Sequence, residues 1–318
     1  MKTEKCSFYS DGTRMEGRVL VPDGLAPEER RAAVIINSGF QGLKEWVPSR
    51  WWPQFLEAGY VCMAFDYRGF GESEGERGRM LPEEEIEDVR SAITFLQQHP
   101  SVNPEQIGIL GWGLGGGVVV STAARDRRVK AVCCANGFGW GARTVRDACT
   151  LDQWFARQEE IRKDRVNRVL TGKSATVPHE QMTHPGRGHD QTGSQFRQDL
   201  ADLGQKPVAE FTLATTEAYY DFRPETEVAQ VSPTPLLIVH GTRANFYSVD
   251  EARHLYEAAR EPKTLMWIEG GIHLEWIHPD SPLSRPGIAR VVEWFTGALP
   301  PVAGAPTREP AVLGATAS

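Results

Sequence analysis

No apolar run in these 318 residues reaches the roughly 18 residues of a membrane span, so a helical membrane protein is excluded. Nor is there a basic surplus. Lys and Arg number 35 against 42 Asp and Glu, for a net charge of −7, and the two signs are mixed along the chain. A nucleic-acid surface needs a clustered basic patch, so nucleic acid is not an expected partner. The five cysteines (Cys6, Cys62, Cys133, Cys134, Cys149) are odd in number and have no framework spacing, which reads as reduced thiols. Residues Met1 to Ser7 lack the apolar core of a signal peptide, and a cytoplasmic location is expected. His179, His184 and His189 are too loosely spaced for a tight zinc motif, and neither a metal nor a cofactor is expected.

What is present is a soluble globular composition, 40% hydrophobic and 24% charged, long enough for one large domain or a domain with an insertion. Residues 5–21 alternate as two short strands turning at Asp11 and Gly12. The continuous apolar run at 32–37 and the stretches 60–65, 107–110, 129–135, 233–240 and 264–268 read as strands of a buried sheet. Helices are predicted between them. One spans 48–58, and another starts at Pro82 with Glu83, Glu84 and Glu85 in its first turn, where the helix dipole favours acids. Ser248 and Glu251 are spaced for a capping box, and Ile288, Val291, Val292 and Phe295 mark a closing helix. Strands and helices in this alternation imply a doubly wound, mostly parallel α/β sheet.

Residues 138–230 interrupt the rhythm. A charged helix is predicted over 154–170, a Gly-, His-, Gln- and Thr-rich loop over 172–206, and a helix over 211–221. The stretch is too long for a plain connection, so it is expected to be an inserted, partly helical cap. The core is then 1–137 with 231–299, and 300–318 reads as a disordered tail.

The chain is organised around Gly111-Trp112-Gly113-Leu114-Gly115, between the strand at 107–110 and a helix of small residues. That is the shape of a G-x-S-x-G nucleophile elbow, a strained strand-to-helix turn that lifts a serine above the sheet. Glycine stands at the serine's position.

Asp66 to Ser73, Asn103 to Gly108 with the elbow, His240-Gly241, and Gly271 to His273 come in an order that resembles the α/β-hydrolase superfamily over roughly residues 15–298. The nearest flavour is the dienelactone-hydrolase, acetyl-xylan-esterase and X-Pro-peptidase branch. The resemblance implies a nucleophile at 113, an acid at 244 and a histidine at 273. The sequence has Gly113, Ala244 and His273. A serine-hydrolase acyl-enzyme is therefore not carried over. His273 is expected to act as a general base, with Asn245, Asn136 or Glu275 as the partner that orients it. Main-chain N–H groups of Leu114 and of Phe40 or Gln41 are expected to hold an oxyanion, since they do not need the serine. Trp112, Tyr219 and Asp221 are further substrate-binding candidates. Asp66 and Arg68 are expected to hold the fold, and Cys133 and Cys134 to fill the core.

The expected function is an enzyme without a covalent nucleophile, acting as hydrolase or as cyclase or lyase on a carbonyl compound such as an ester, lactone, β-dicarbonyl or polyketide-like intermediate. One alternative is a non-catalytic ligand-binding relative. Another is a serine hydrolase inactivated by substitution, against which Ala244 speaks, because a single knock-out would leave the acid in place. A small molecule is the expected partner, with a homodimer left open.

Overall fold

The computed structural model describes residues 1–183, 185, 198–205 and 207–302. Of the predicted tail 300–318, residues from 303 onward lie outside the described residues, as do His184 and His189, while the Pro301 carbonyl accepts from the Ala32 N–H at 3.0 Å. An eight-stranded sheet runs through the centre. Its strands are β1 (Lys2–Ser10), β2 (Thr13–Val21), β3 (Arg31–Asn37), β4 (Val61–Phe65), β5 (Val102–Trp112), β6 (Val129–Ala135), β9 (Leu236–Gly241) and β10 (Lys263–Ile268), in the spatial order β1-β2-β4-β3-β5-β6-β9-β10. β1 and β2 form an antiparallel hairpin, β2 pairs antiparallel with β4, and every later pairing is parallel. This is the doubly wound α/β-hydrolase fold.

β3, β4, β6 and β9 are buried almost throughout, so they are mostly apolar on both faces rather than alternating. Helices α1 (Val47–Glu57), α2 (Pro82–Leu96), α3 (Leu114–Arg125), α8 (Val249–Ala258) and α9 (Ser284–Ala298) cover them. α2 begins as its sequence dictates, with Pro82 in the first turn beside Glu83, Glu84 and Glu85, and it buries Ile86, Val89, Ile93 and Leu96. β5 starts five residues before the predicted strand and takes in Pro104, where the pairing with β3 shifts register between Arg31 and Ala33.

Between β6 and β9 lie α4 (Gly141–Arg146), α5 (Leu151–Thr171), β7 (Thr176–Pro178), α6 (His179–Thr183), β8 (Glu210–Thr212) and α7 (Leu213–Asp221). α5 is closed at its start by a capping box of Thr150 and Gln153 and at its end by left-handed Gly172. β7 and β8 pair antiparallel, so Thr176 to Pro178, expected as loop, and Glu210 to Thr212, two of them expected as helix, are strand. The predicted capping box at α8 does not form. Ser248 caps the helix by accepting from the Asp250 N–H. Glu251 instead accepts from the Gly139 and Trp140 N–H groups at 2.9 and 3.1 Å and pairs with Arg143, so the helix is tied to residues 139–143. No described helix is long and apolar enough to cross a membrane.

Candidate active site

The site is assembled where the C-terminal ends of β3, β5, β6, β9 and β10 meet, the usual place for ligands in an open α/β sheet. β5 ends at Trp112, and Gly113 makes the turn into α3 with φ 58° and ψ −119°. L-residues rarely adopt that conformation, and it is the strained geometry a nucleophile elbow requires. Gly39, in the loop after β3, lies against this turn, where a Cβ would come within 2.6 Å of the Trp112 carbonyl. That approach sets the Phe40 loop beside the start of α3. Among the described residues, the N–H groups of Phe40, Gln41 and Leu114 meet no acceptor. The Gln41 side chain exchanges two hydrogen bonds with the Val208 main chain, at 2.8 and 2.7 Å, and so fixes the loop against the segment between β6 and β9.

His273 follows β10 and is buried. A Cβ built on Gly113 would stand 3.6 Å from its Nε2 and 3.8 Å from Tyr247 Cε2. The imidazole stacks on Phe246 with centroids 5.1 Å apart, meets Tyr247 edge-on at 5.3 Å, and lies 5.5 Å from Trp112. Asn136, held at φ 44° at the end of β6, donates through Nδ2 to the His273 carbonyl at 2.9 Å and accepts the Gly241 N–H at 2.9 Å. It ties the loop after β10 to the end of β9. Asn245 accepts the His273 N–H at 3.3 Å. Both asparagines thus grip the main chain of residue 273.

The other candidates divide. Phe40 lies 5.5 Å from Tyr219 and 6.3 Å from Phe246, and Tyr219 packs on Phe138 at 5.2 Å with its hydroxyl 2.8 Å from Thr144 Oγ1. Burial pushes the Tyr219 phenol well above its usual range, so it is a neutral hydroxyl. Ala244 is half-buried in the turn after β9, closed by its N–H on the Gly241 carbonyl at 3.2 Å. Glu275 is exposed at the start of a short 3-10 turn. Asp221 is exposed at the end of α7, its carboxyl raised by partial burial and by Glu217.

Asp66 accepts from the Lys44 and Glu72 N–H groups at 2.8 and 2.9 Å and pairs with Lys44 Nζ, bracing the loop after β4. Arg68 holds buried Asp88 of α2. Cys133 and Cys134 are mid-strand, and burial raises both thiols, that of Cys134 to about 12. Among the described residues, no three His, Cys, Asp or Glu side chains gather as metal ligands.

Sequence reasoning missed Phe246 and Tyr247, which wall the histidine, and Phe138, which packs on Tyr247 at 4.9 Å. The available signal was the run Asn245-Phe246-Tyr247 directly after the expected acid position. Chemically, the site offers an imidazole facing a residue without a side chain, free main-chain donors nearby, and an aromatic wall.

The serine aminopeptidase S33 family model matches residues 28–280. The chain is 29% identical over 261 residues to the uncharacterized protein PA2218 of Pseudomonas aeruginosa, covering 78% of this chain and 68% of that one. The crystal structure of PA2218 superposes with a TM-score of 0.79 at 27% identity, over 94% of both chains. This chain is 26% identical over 272 residues to thiohydrolase aneE of Aspergillus aculeatus, 83% of each chain. The crystal structure of GrgF, an α/β hydrolase from a Penicillium species, superposes with a TM-score of 0.77 at 23% identity, over 94% of this chain and 99% of that one. Matched over most of its length, the chain belongs to the serine aminopeptidase S33 family of α/β hydrolases.

Proposed function

We propose that this protein acts on a carbonyl-containing small molecule, such as an ester, thioester, lactone or polyketide-like intermediate, without forming an acyl-enzyme. The described part of residues 138–230 serves as a cap over the site. The observation that carries the reading is the setting of His273 Nε2 beside Gly113, 3.6 Å from where a Cβ would stand. The imidazole faces the space a nucleophile's side chain would fill, so a water or a substrate C–H or O–H can take that place and lose its proton to His273. The N–H groups of Leu114 and of Phe40 or Gln41 stabilise the negative charge that develops on the carbonyl oxygen. Their being main-chain groups means that glycine at 113 leaves them intact. Phe40, Trp112, Tyr219 and Phe246 give the substrate an apolar seat.

Relatives named as a thiohydrolase and, for GrgF, a polyketide transferase support a thioester or polyketide-like substrate. The finer resemblance to the dienelactone-hydrolase branch belongs to the same proposal. The test is to incubate the protein with acyl thioesters, lactones and β-dicarbonyl compounds, following products and intact protein mass together. Turnover with an unchanged protein mass is expected. A stoichiometric acyl adduct would overturn the non-covalent mechanism. Saturable binding of a compound recovered unchanged would point to a receptor.

A further inference from the structure

Helix α5 carries an apolar stripe on the face turned away from the fold. At 100° per residue, positions 151, 155, 162, 166 and 169 fall within about 60° of one another, with 170 at the margin. Four of those are Leu151, Phe155, Val166 and Val169, and with Leu170 they are 51% to 81% exposed. The opposite face buries Arg157 and Asp164 beside Ile161. Asp164 accepts from the Ala175 N–H at 2.7 Å and the Ser174 hydroxyl at 2.8 Å, and Arg165 and Arg168 pair with Glu217 of α7. A surface helix normally turns its apolar stripe inward. Here the docked face is mixed, with Trp154 stacked on Tyr220 and Ile161 buried beside Arg157 and Asp164, and a second, apolar stripe is left in solvent. A contiguous exposed patch of this kind marks an interaction surface.

The order of residues along the stripe identifies the occupant. Leu151 and Phe155 lie at one end and Val166, Val169 and Leu170 at the other, with Glu159, Arg162 and Lys163 between them. A second α5 laid antiparallel, with the two-fold axis between residues 160 and 161, sets Leu151 against Leu170 and Phe155 against Val166. The same register sets Glu159 against Arg162 of the second copy, with Lys163 adjacent. Leu151, Phe155, Val166 and Leu170 meet apolar partners and Glu159 meets Arg162, which is the self-complementarity an isologous contact demands, while Val169 falls opposite Asp152 and one residue from Leu151 of the second copy. Within one chain Glu159 already bonds Arg162 at 2.7 Å, so the pairing adds a second set of partners to charges already held in place.

We propose that α5 is the surface through which a second copy of this chain docks, giving a two-fold dimer of antiparallel α5 helices. The stripe offers on the order of 500 Å² of apolar side chain per copy, a large part of the ~800 Å² per partner in a standard interface, and the side chains flanking it extend the contact. A lipid surface fits less well, because the middle of the stripe carries both signs and the chain is net acidic.

Sedimentation equilibrium on the full chain tests this, with circular dichroism to confirm folding, which exposed substitutions should leave unchanged. The wild type should dimerise with Kd at or below about 10 μM, and Phe155→Asp and Val169→Asp should each weaken it at least about tenfold. Glu159→Arg should also weaken it, and adding Arg162→Glu and Lys163→Glu should restore it, since the exchanged charges are again complementary. A wild type that stays monomeric at about 100 μM would overturn the proposal. So would a dimer indifferent to Phe155→Asp and Val169→Asp, or a triple exchange that fails to restore association. Co-sedimentation of monomeric wild type with phosphatidylcholine vesicles, lost in Phe155→Asp, would assign the stripe to lipid instead.

Discussion

Gly113→Ser is the perturbation whose consequences the geometry specifies most fully. A Cβ at 113 has room, since its nearest neighbours would be His273 Nε2 at 3.6 Å and His273 Cε1 and Tyr247 Cε2 at 3.8 Å. The cost is torsional. At φ 58° and ψ −119° a side chain is strained by about 1–3 kcal/mol. The variant should therefore fold, with Tm lowered by roughly 2–10 °C. The new hydroxyl would come within hydrogen-bond reach of Nε2, yet Ala244 supplies no acid to support the histidine. Replacing the triad acid by its amide costs about 10⁴ in a serine protease, and triad members act as a unit. A fluorophosphonate probe should leave the wild type unlabelled and label Gly113→Ser slowly. Gly113→Ser/Ala244→Asp should be labelled faster than the single variant by roughly 10²–10⁴. Stoichiometric labelling of wild type would reveal a displaced nucleophile. Equal rates in the single and double variants would refute the argument that the missing acid is limiting.

Three further outcomes follow from buried polar groups. Asn136→Ala removes two hydrogen bonds that join the His273 loop to β9 and should cost about 2–4 kcal/mol in urea melts, with turnover falling through looser placement of His273. Burial and Asp88 raise the Glu85 carboxyl well above its usual 4.5, so wild type loses stability as pH rises above that value, by up to about 1.4 kcal/mol per pH unit. Glu85→Gln should therefore gain relative stability between pH 5 and pH 8, and a pH-independent difference would contradict the burial argument. Burial lowers His240 to about 4, so its contribution is lost as pH falls from about 6.5 to 4, and His240→Gln should flatten that part of the acid-denaturation profile.

The sheet was legible because parallel strands buried on both faces are written as apolar runs, as at Ala32 to Ile36 and Ala131 to Ala135. Short strands were not. Thr176 to Pro178 and Glu210 to Thr212 have three residues each, too few to show a period, and exist only because they pair with one another. Glu251 satisfied a local capping pattern but is drawn to Gly139, Trp140 and Arg143, more than 100 residues away in the chain, which no local pattern encodes. At the site, the elbow and His273 could be read because backbone strain and a loop position leave a sequence signature. The aromatic wall of Phe138, Phe246 and Tyr247, and the grip of Asn136 and Asn245 on the main chain of residue 273, depend on how three strand ends come together.

The most direct test of the proposed chemistry is turnover by His273→Ala beside wild type, on whichever carbonyl compound the wild type converts. General-base assistance is worth on the order of 10²–10⁴ in rate, so kcat should fall by about that factor. Circular dichroism should be unchanged, because His273 lies in a loop whose main chain is held by Asn136 and Asn245. Full turnover by a folded His273→Ala variant would contradict the account and remove the histidine from the mechanism.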